Sequence, residues 1–283
     1  MKTSAQLKAL FRNLSKKSNV EAEILLRNFM LERFLERIAV SEYKRNFILK
    51  GGMLIAAMVG IDTQTTMDMD AAIKGQTLAA PEITAIIERI LSAPVDDGVE
   101  FSSRGIEEIR EEAGYRVSIG AVLDKTRQTL KVDITTGDFV TPREIEYSFK
   151  LMFEDRTISI MAYNLETVLA EKFETVVTRG VANTRMRDFY DIYILTTTQQ
   201  YDADTFKAAL GKTIEKRGTS EQMADTDDAI AMAAESPVMI DLWQKYAKKY
   251  SYAADVTWEM AIGSVKALAA LSGMGDKPEA VQK

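Results

Sequence analysis

Residues 50–75 read KGGMLIAAMVGIDTQTTMDMDAAIKG: a glycine pair, an apolar run, a polar loop and two aspartates separated by one methionine. With FIL at 47–49 just upstream, the order predicts a short strand, a turn at Gly51 and Gly52, and a helix over MLIAAMV that begins directly after the glycines. MDMDAAI predicts a second strand, in which Asp68 and Asp70 point to one face while Met67, Met69 and Ala71 point to the other. Two carboxylates that close repel, and in an apolar setting a cation, a proton or water must relieve them. A bound divalent ion is one resolution; an edge strand open to water is the other.

Working outward, YRVSIGAVL (115–123) and TLKVDIT (129–135) alternate as strands do and are separated by the turn-like DKTRQ, which predicts an antiparallel pair. Asp133 sits there between Val132 and Ile134, on the same strand face as Lys131 and Thr135. A third carboxylate on a neighbouring strand would complete a three-aspartate cage for Mg²⁺ that leaves positions for water and triphosphate oxygens; a solvent-facing Asp on a half-buried strand is the plainer reading. Gly51 and Gly52 lack side chains, so backbone N–H groups can approach a phosphate there, with the positive end of the following helix aimed at the same spot.

EAEILLRNFMLERFLERI (21–38) has helical spacing with Ser18 or Asn19 as candidate caps, and PEITAIIERILSA predicts a helix with Pro81 in its first turn. TISIMAY predicts a further strand, after which helices alone are expected at 164–179, 185–199, 204–217, 238–250 and 256–270, while the acidic stretch 218–236 reads as a surface loop or loose helix. The fold class expected is therefore α+β: a domain of strands and helices over 1–200 followed by a helical domain over 201–283.

The composition narrows the chemistry. Among 283 residues there is neither Cys nor His, which excludes disulfides, thiolate chemistry, imidazole bases and zinc sites of the usual type. Asp, Glu, Lys, Arg and hydroxyl side chains remain, and they favour hard, oxygen-ligated ions. A net charge of −6 gives no global argument for nucleic acid, although KRN at 44–46 and RMR at 185–187 are locally basic. No segment has secretory or transmembrane character, so a cytoplasmic protein with no membrane partner is expected.

On the helix from Asn164, the stripe Leu165, Val168, Lys172, Val176 and Arg179 sets one ammonium in a largely apolar face, where an anion such as a triphosphate would have to meet it. The next helix puts Asp188 and Asp191 on one face, with Arg185 and Arg187 able to pair with them. The other reading is a snorkelling lysine and surface ion pairs.

Glycine pair, DMDA and VDI in this order resemble the nucleotidyltransferase superfamily with the polymerase-β-like fold. LETVLAEKFETVVTRGVANTRMRDFYDIYIL (165–195) looks like the third and fourth motifs of the AbiEii/AbiGii abortive-infection toxins, and the resemblance spans about residues 20–200. It implies a polymerase-β-like domain with a mixed or antiparallel sheet. It also implies an NTP substrate bound at Gly51, Gly52, Thr66 and Lys172, with Mg²⁺ in a two-metal site on Asp68, Asp70 and Asp133. Asp68, Asp70, Lys172, Asp188 and Asp191 would be the catalytic set. An RNA acceptor, tRNA in particular, growth arrest in phage defence, and a cognate antitoxin encoded alongside are the further implications. Two features depart from the pattern: Met53 stands where a small hydroxyl residue is usual, with Thr65 or Thr66 able to supply one, and the span from Gly52 to Asp68 is longer than usual. A degenerate enzyme that binds nucleotide or RNA without transfer is the alternative function, and a helical interaction protein with surface carboxylates a third.

Overall fold

A computed structural model describes residues 4–18, 20–60, 68–74, 78–109 and 114–274. Thr65, Thr66 and Met67, and the candidate cap Asn19, lie outside the described residues. The chain forms two compact units, one of Met1–Asp138 with Glu144–Tyr163, the other of Phe139–Arg143 with Asn164–Lys283.

The first unit is built on a seven-stranded mixed sheet of β1 (Phe47–Lys50), β2 (Met69–Ile73), β3 (Val99–Ile109), β4 (Gly114–Leu123), β5 (Thr126–Thr136), β6 (Ile145–Lys150) and β7 (Thr157–Ala162), in the order β3-β4-β5-β2-β1-β7-β6. β2 runs parallel to β5 and β1 parallel to β7, and the other pairs are antiparallel. β2 is thus the central strand, which removes the edge-strand explanation for its aspartates. The strand also starts two residues later than expected, leaving Asp68 on the bend that leads into it. Leu49, Met69, Ala71, Leu130, Val132, Ile134 and Ile160 are the buried side of the sheet.

β3 and β6, absent from the sequence expectation, are the two edge strands. Their sequences, VEFSSRGIEEI and IEYSFK, bury few residues, as edges that must resist pairing with other chains commonly do. The turn between β4 and β5 is tighter than expected: Leu123 pairs with Thr126, so Asp124, with φ 55°, and Lys125 alone make it.

Helices α1 (Ser4–Ser18), α2 (Ala22–Val40), α3 (Gly51–Val59) and α4 (Ala80–Leu91) complete the unit. Ser18, expected to cap α2, instead ends α1 and donates its hydroxyl to the Leu14 carbonyl; Glu21 stands at the α2 N-cap. α2 carries an ionic seam. Glu32, Arg33, Glu36 and Arg37 are all buried, with Arg33 bonded to Glu154 at 2.5 Å, Arg37 to Asp97 at 2.5 and 3.1 Å, and Arg156 to Glu36 at 2.5 and 3.1 Å. Glu32 accepts the Met152 N–H at 2.8 Å, and burial pushes its carboxyl up to about 8. Three arginines face four acids in this seam, so a protonated Glu32 leaves it neutral.

The second unit is helical: α5 (Leu165–Arg179), α6 (Met186–Thr198), α7 (Ala203–Arg217), α8 (Ser220–Ala224), α9 (Thr226–Glu235), α10 (Pro237–Lys249) and α11 (Trp258–Ser272). Asn164 starts α5, its side chain accepting from Thr167 N at 2.9 Å and donating to the Thr141 carbonyl at 2.5 Å. Residues 218–236, expected as a surface loop or loose helix, contain two helices that bury Met223, Ile230 and Ala233. α5 and α6 group with these later helices, with Phe173 edge-on to Phe206 at 6.0 Å and Phe189 against Trp258 at 5.0 Å. The compact division accordingly falls at Asn164, where strands give way to helices, whereas the expected boundary was drawn at residue 200.

Candidate active site

In the first unit, strand register gathers charge into one row. Lys50 on β1 is opposite Asp70 on β2, Asp70 is opposite Asp133 on β5, and Asp133 is opposite Arg116 on β4. Paired residues share a face and adjacent strands lie about 4.8 Å apart, so four ionisable side chains line up across the middle of the sheet. The signs run plus, minus, minus, plus.

The outer cations of the row do different things. Arg116 grips Asp133 with two parallel bonds, Nε to Oδ1 at 2.7 Å and Nη2 to Oδ2 at 2.6 Å. Lys50 reaches Asp138 at 2.8 Å, and Asp138 also accepts from Thr135 Oγ1 and Tyr163 Oη at 2.6 Å each. Burial and the charge of Asp133 raise the Asp68 carboxyl, against the opposing pull of Arg116 and Lys131.

Gly51 is where the glycine pair and the aspartates meet. Its φ is +66°, and a Cβ built on it would lie 2.0 Å from Asp70 Oδ2 and 2.7 Å from Asp70 Cβ. Only glycine fits, because the Asp70 carboxylate fills the volume that any side chain would take. The first turn of α3 and the Asp70 carboxylate are therefore in direct contact. Met53, on that same turn, is buried and offers nothing to a phosphate.

The donor set was expected to be three carboxylates. Among the described residues no group of three or more acids is disposed to hold a metal ion, and both oxygens of Asp133 are engaged by Arg116. Asp68 and Asp70 remain as the candidate ligands. Desolvation and the charge of Asp133 raise the half-buried Asp68, and a hard divalent cation would favour its charged form.

In the second unit, Lys172 of α5 bonds Asp188 Oδ1 and Asp191 Oδ2 of α6 at 2.6 Å each. The anion expected to meet this lysine is thus supplied by two aspartates of the chain itself. Burial lowers the lysine and raises Asp191, but the two carboxylates more than reverse the effect on Lys172, which is held charged above the usual lysine range. Arg187 approaches Asp191 at 4.0 Å and brings the cluster toward neutrality. Arg185, expected as a partner, stands at the α6 N-cap without a side-chain cap bond.

Of the expected residues, Gly51, Gly52, Asp68, Asp70 and Asp133 lie together in the first unit, and Lys172, Asp188 and Asp191 in the second; Thr66 lies outside the described residues. Arg116, Lys50 and Asp138 were missed. Arg116 was open to discovery by counting: it is eight residues before Asp124, as Asp133 is eight after Lys125, so a two-residue turn puts them opposite each other.

Comparison with known proteins identifies a family and a fold. Residues 33–263 match the family described as nucleotidyl transferase AbiEii toxin, type IV TA system. The fold resembles that of a candidate nucleotidyltransferase from H. pylori, at TM-score 0.52 and 14% identity over 89% of this chain and 96% of that one. It also resembles JHP933 from Helicobacter pylori, at TM-score 0.53 and 13% identity over 89% and 93%. No curated protein matches. With a family match that covers most of its length, the chain belongs to the AbiEii family of nucleotidyl transferase toxins.

Proposed function

We propose that the chain transfers a nucleotide from an NTP to an acceptor hydroxyl. The observation that carries this reading is the contact between Gly51 and Asp70, which joins a side-chain-free helix start to a carboxylate at the centre of the sheet. Phosphate chemistry needs both halves together: backbone N–H groups for oxygens and carboxylates for a cation. Asp68 and Asp70 would hold a divalent cation, Mg²⁺ in the first instance, whose charge would offset that of the triphosphate. Gly51 and Gly52 receive phosphate oxygens at the start of α3. The acceptor oxygen bonds to the α-phosphorus, the bond to the β-phosphate oxygen breaks, and pyrophosphate leaves. Lys172, Asp188 and Asp191 are proposed to contribute to transfer as a pre-formed ionic cluster of the second unit. The family description supports a toxin with a cognate antitoxin; a cytoplasmic role in phage defence and an RNA acceptor, tRNA first, are proposed with it.

A second reading, binding of nucleotide or RNA without transfer, is favoured by the engagement of Asp133 and by the buried Met53. One experiment separates the two. The full chain is incubated with Mg²⁺, each labelled NTP in turn and total tRNA. Label on tRNA that disappears in Asp68→Asn and Asp70→Asn supports transfer; nucleotide-dependent thermal stabilisation without labelled product supports binding alone. Transfer by Asp70→Asn at the parent rate would refute the proposed roles.

A further inference from the structure

We infer that Arg116 binds the triphosphate of the incoming nucleotide and that Asp133 is its positioning residue, serving Arg116 and not an ion. The inference rests on the nucleotidyltransferase reading of the same site and changes the division of labour within it.

Three observations carry it. The guanidinium spends one edge, Nε and Nη2, on the two oxygens of Asp133, at 2.7 and 2.6 Å. A fork held at two points has its rotamer fixed, and a carboxylate bonded at both oxygens has little left for a metal. Next, Nη1 has no acceptor among the described residues, and the Arg116 side chain is 38% exposed while Asp133 is 15% exposed. The pair thus stands with its carboxylate inward and its cation toward solvent. Finally, register places Arg116 two strands from Asp70, the residue in contact with Gly51, and Asp68 feels the charges of both Asp133 and Arg116. Two strand spacings are about 10 Å, a span that an extended arginine and a triphosphate chain cover together.

The charge pattern agrees. Along the row Lys50, Asp70, Asp133, Arg116, each outer cation is already bonded to a carboxylate, Lys50 to Asp138 and Arg116 to Asp133. A nucleotide brings the negative charge that Nη1 of Arg116 can meet. Planar guanidinium and phosphate geometry match, and a lysine in that place would offer only a point charge.

Binding measurements on the full chain test this without any turnover. In the presence of EDTA, titration with each of the four ribonucleoside triphosphates is expected to show affinity reduced about tenfold in Arg116→Gln, less in Arg116→Lys, and about threefold in Asp133→Asn, where the fork is no longer charge-held. Mn²⁺ binding without nucleotide is expected to fall at least tenfold in Asp68→Asn and Asp70→Asn and to stay within twofold of the parent in Asp133→Asn. Far-ultraviolet circular dichroism and thermal midpoints verify that each variant is folded, and Arg116→Lys supplies a milder change should Arg116→Gln unfold. Loss of Mn²⁺ binding in Asp133→Asn, equal to that in Asp70→Asn, would overturn the inference and make Asp133 an ion ligand. So would unchanged nucleotide affinity in both Arg116 variants. Unaltered Mn²⁺ binding in Asp68→Asn and Asp70→Asn would instead strike at the nucleotidyltransferase reading.

Discussion

Gly51→Ala isolates the contact on which the functional reading depends. Two penalties apply. The backbone at φ +66° is left-handed, which costs a non-glycine residue roughly 1 kcal/mol. The new Cβ would also sit 2.0 Å from Asp70 Oδ2, 2.6 Å from its Cγ and 2.7 Å from its Cβ. Rotating the carboxylate relieves the first two contacts, but the third involves an atom fixed to the central strand, so α3 and β2 must part at a cost of about 2 kcal/mol. The sum, about 3 kcal/mol, corresponds to a thermal midpoint lowered by roughly 6–12 °C for a chain of this size. Urea unfolding in two backgrounds separates the penalties. With Asp70→Gly the clash is gone, and adding Gly51→Ala should cost only the backbone share of about 1 kcal/mol; with Asp70→Ala the Cβ contact persists and nearly the full cost of about 3 kcal/mol should remain. Equal penalties for Gly51→Ala in the parent and in Asp70→Gly would refute the close approach.

Other expectations concern buried charge. Lys172→Met leaves Asp188 and the fully buried Asp191 facing each other without their lysine, which should cost about 3–5 kcal/mol in urea unfolding and recover in part at acid pH, where the carboxylates take up protons. Glu32 has its folded pKa raised to about 8 from a reference of 4.5, so the native state holds its proton where the unfolded chain has lost it. Stability contributed by this group is therefore complete below about 4.5, declines as pH rises to about 8 and is flat above; the decline is on the order of a few kcal/mol, and Glu32→Gln, which retains an acceptor for Met152 N–H, should flatten it. A slope unchanged by Glu32→Gln would refute this assignment. Tyr163→Phe removes a donor to the buried Asp138 side chain, beside Lys50 and Thr135, and should lower stability by about 1–2 kcal/mol, read from the urea midpoint.

What the sequence disclosed and what it withheld divide along a physical line. Interior strands such as FIL and LKVDIT carry apolar alternation, and the helices from 164 onward carry a 3.6-residue period, so both were legible. The edge strands were not, since VEFSSRGIEEI and IEYSFK keep water on much of their surface and have no clear apolar face to read. The ionic seam of α2 was hidden for the opposite reason. Glu32, Arg33, Glu36 and Arg37 look like a solvated face, and only partners 60 to 121 residues away, Asp97, Glu154 and Arg156, make their burial possible. Lys172 was identified as a cation that needed an anion, but the sequence could not say which anion would come; the answer, Asp188 and Asp191, depended on how α5 and α6 pack.

The same limit applies to the candidate site and explains the one residue whose role changes most. A single strand tells which face an aspartate takes, so Asp70 and Asp133 could each be placed on the polar face of its strand from the sequence. Whether a carboxylate is available to a ligand depends instead on the residue across the ladder, and that follows from register. Reading the turn as DKTRQ offsets the pairing and hides Arg116; closing it at Asp124 and Lys125 puts the guanidinium opposite Asp133. Because the period of a strand is two, an error of one residue in register would have moved Arg116 to the other face and left Asp133 open. The availability of each carboxylate in this sheet is thus a property of pairs of strands: Arg116 takes up Asp133 from the neighbouring strand, as Lys50 takes up Asp138.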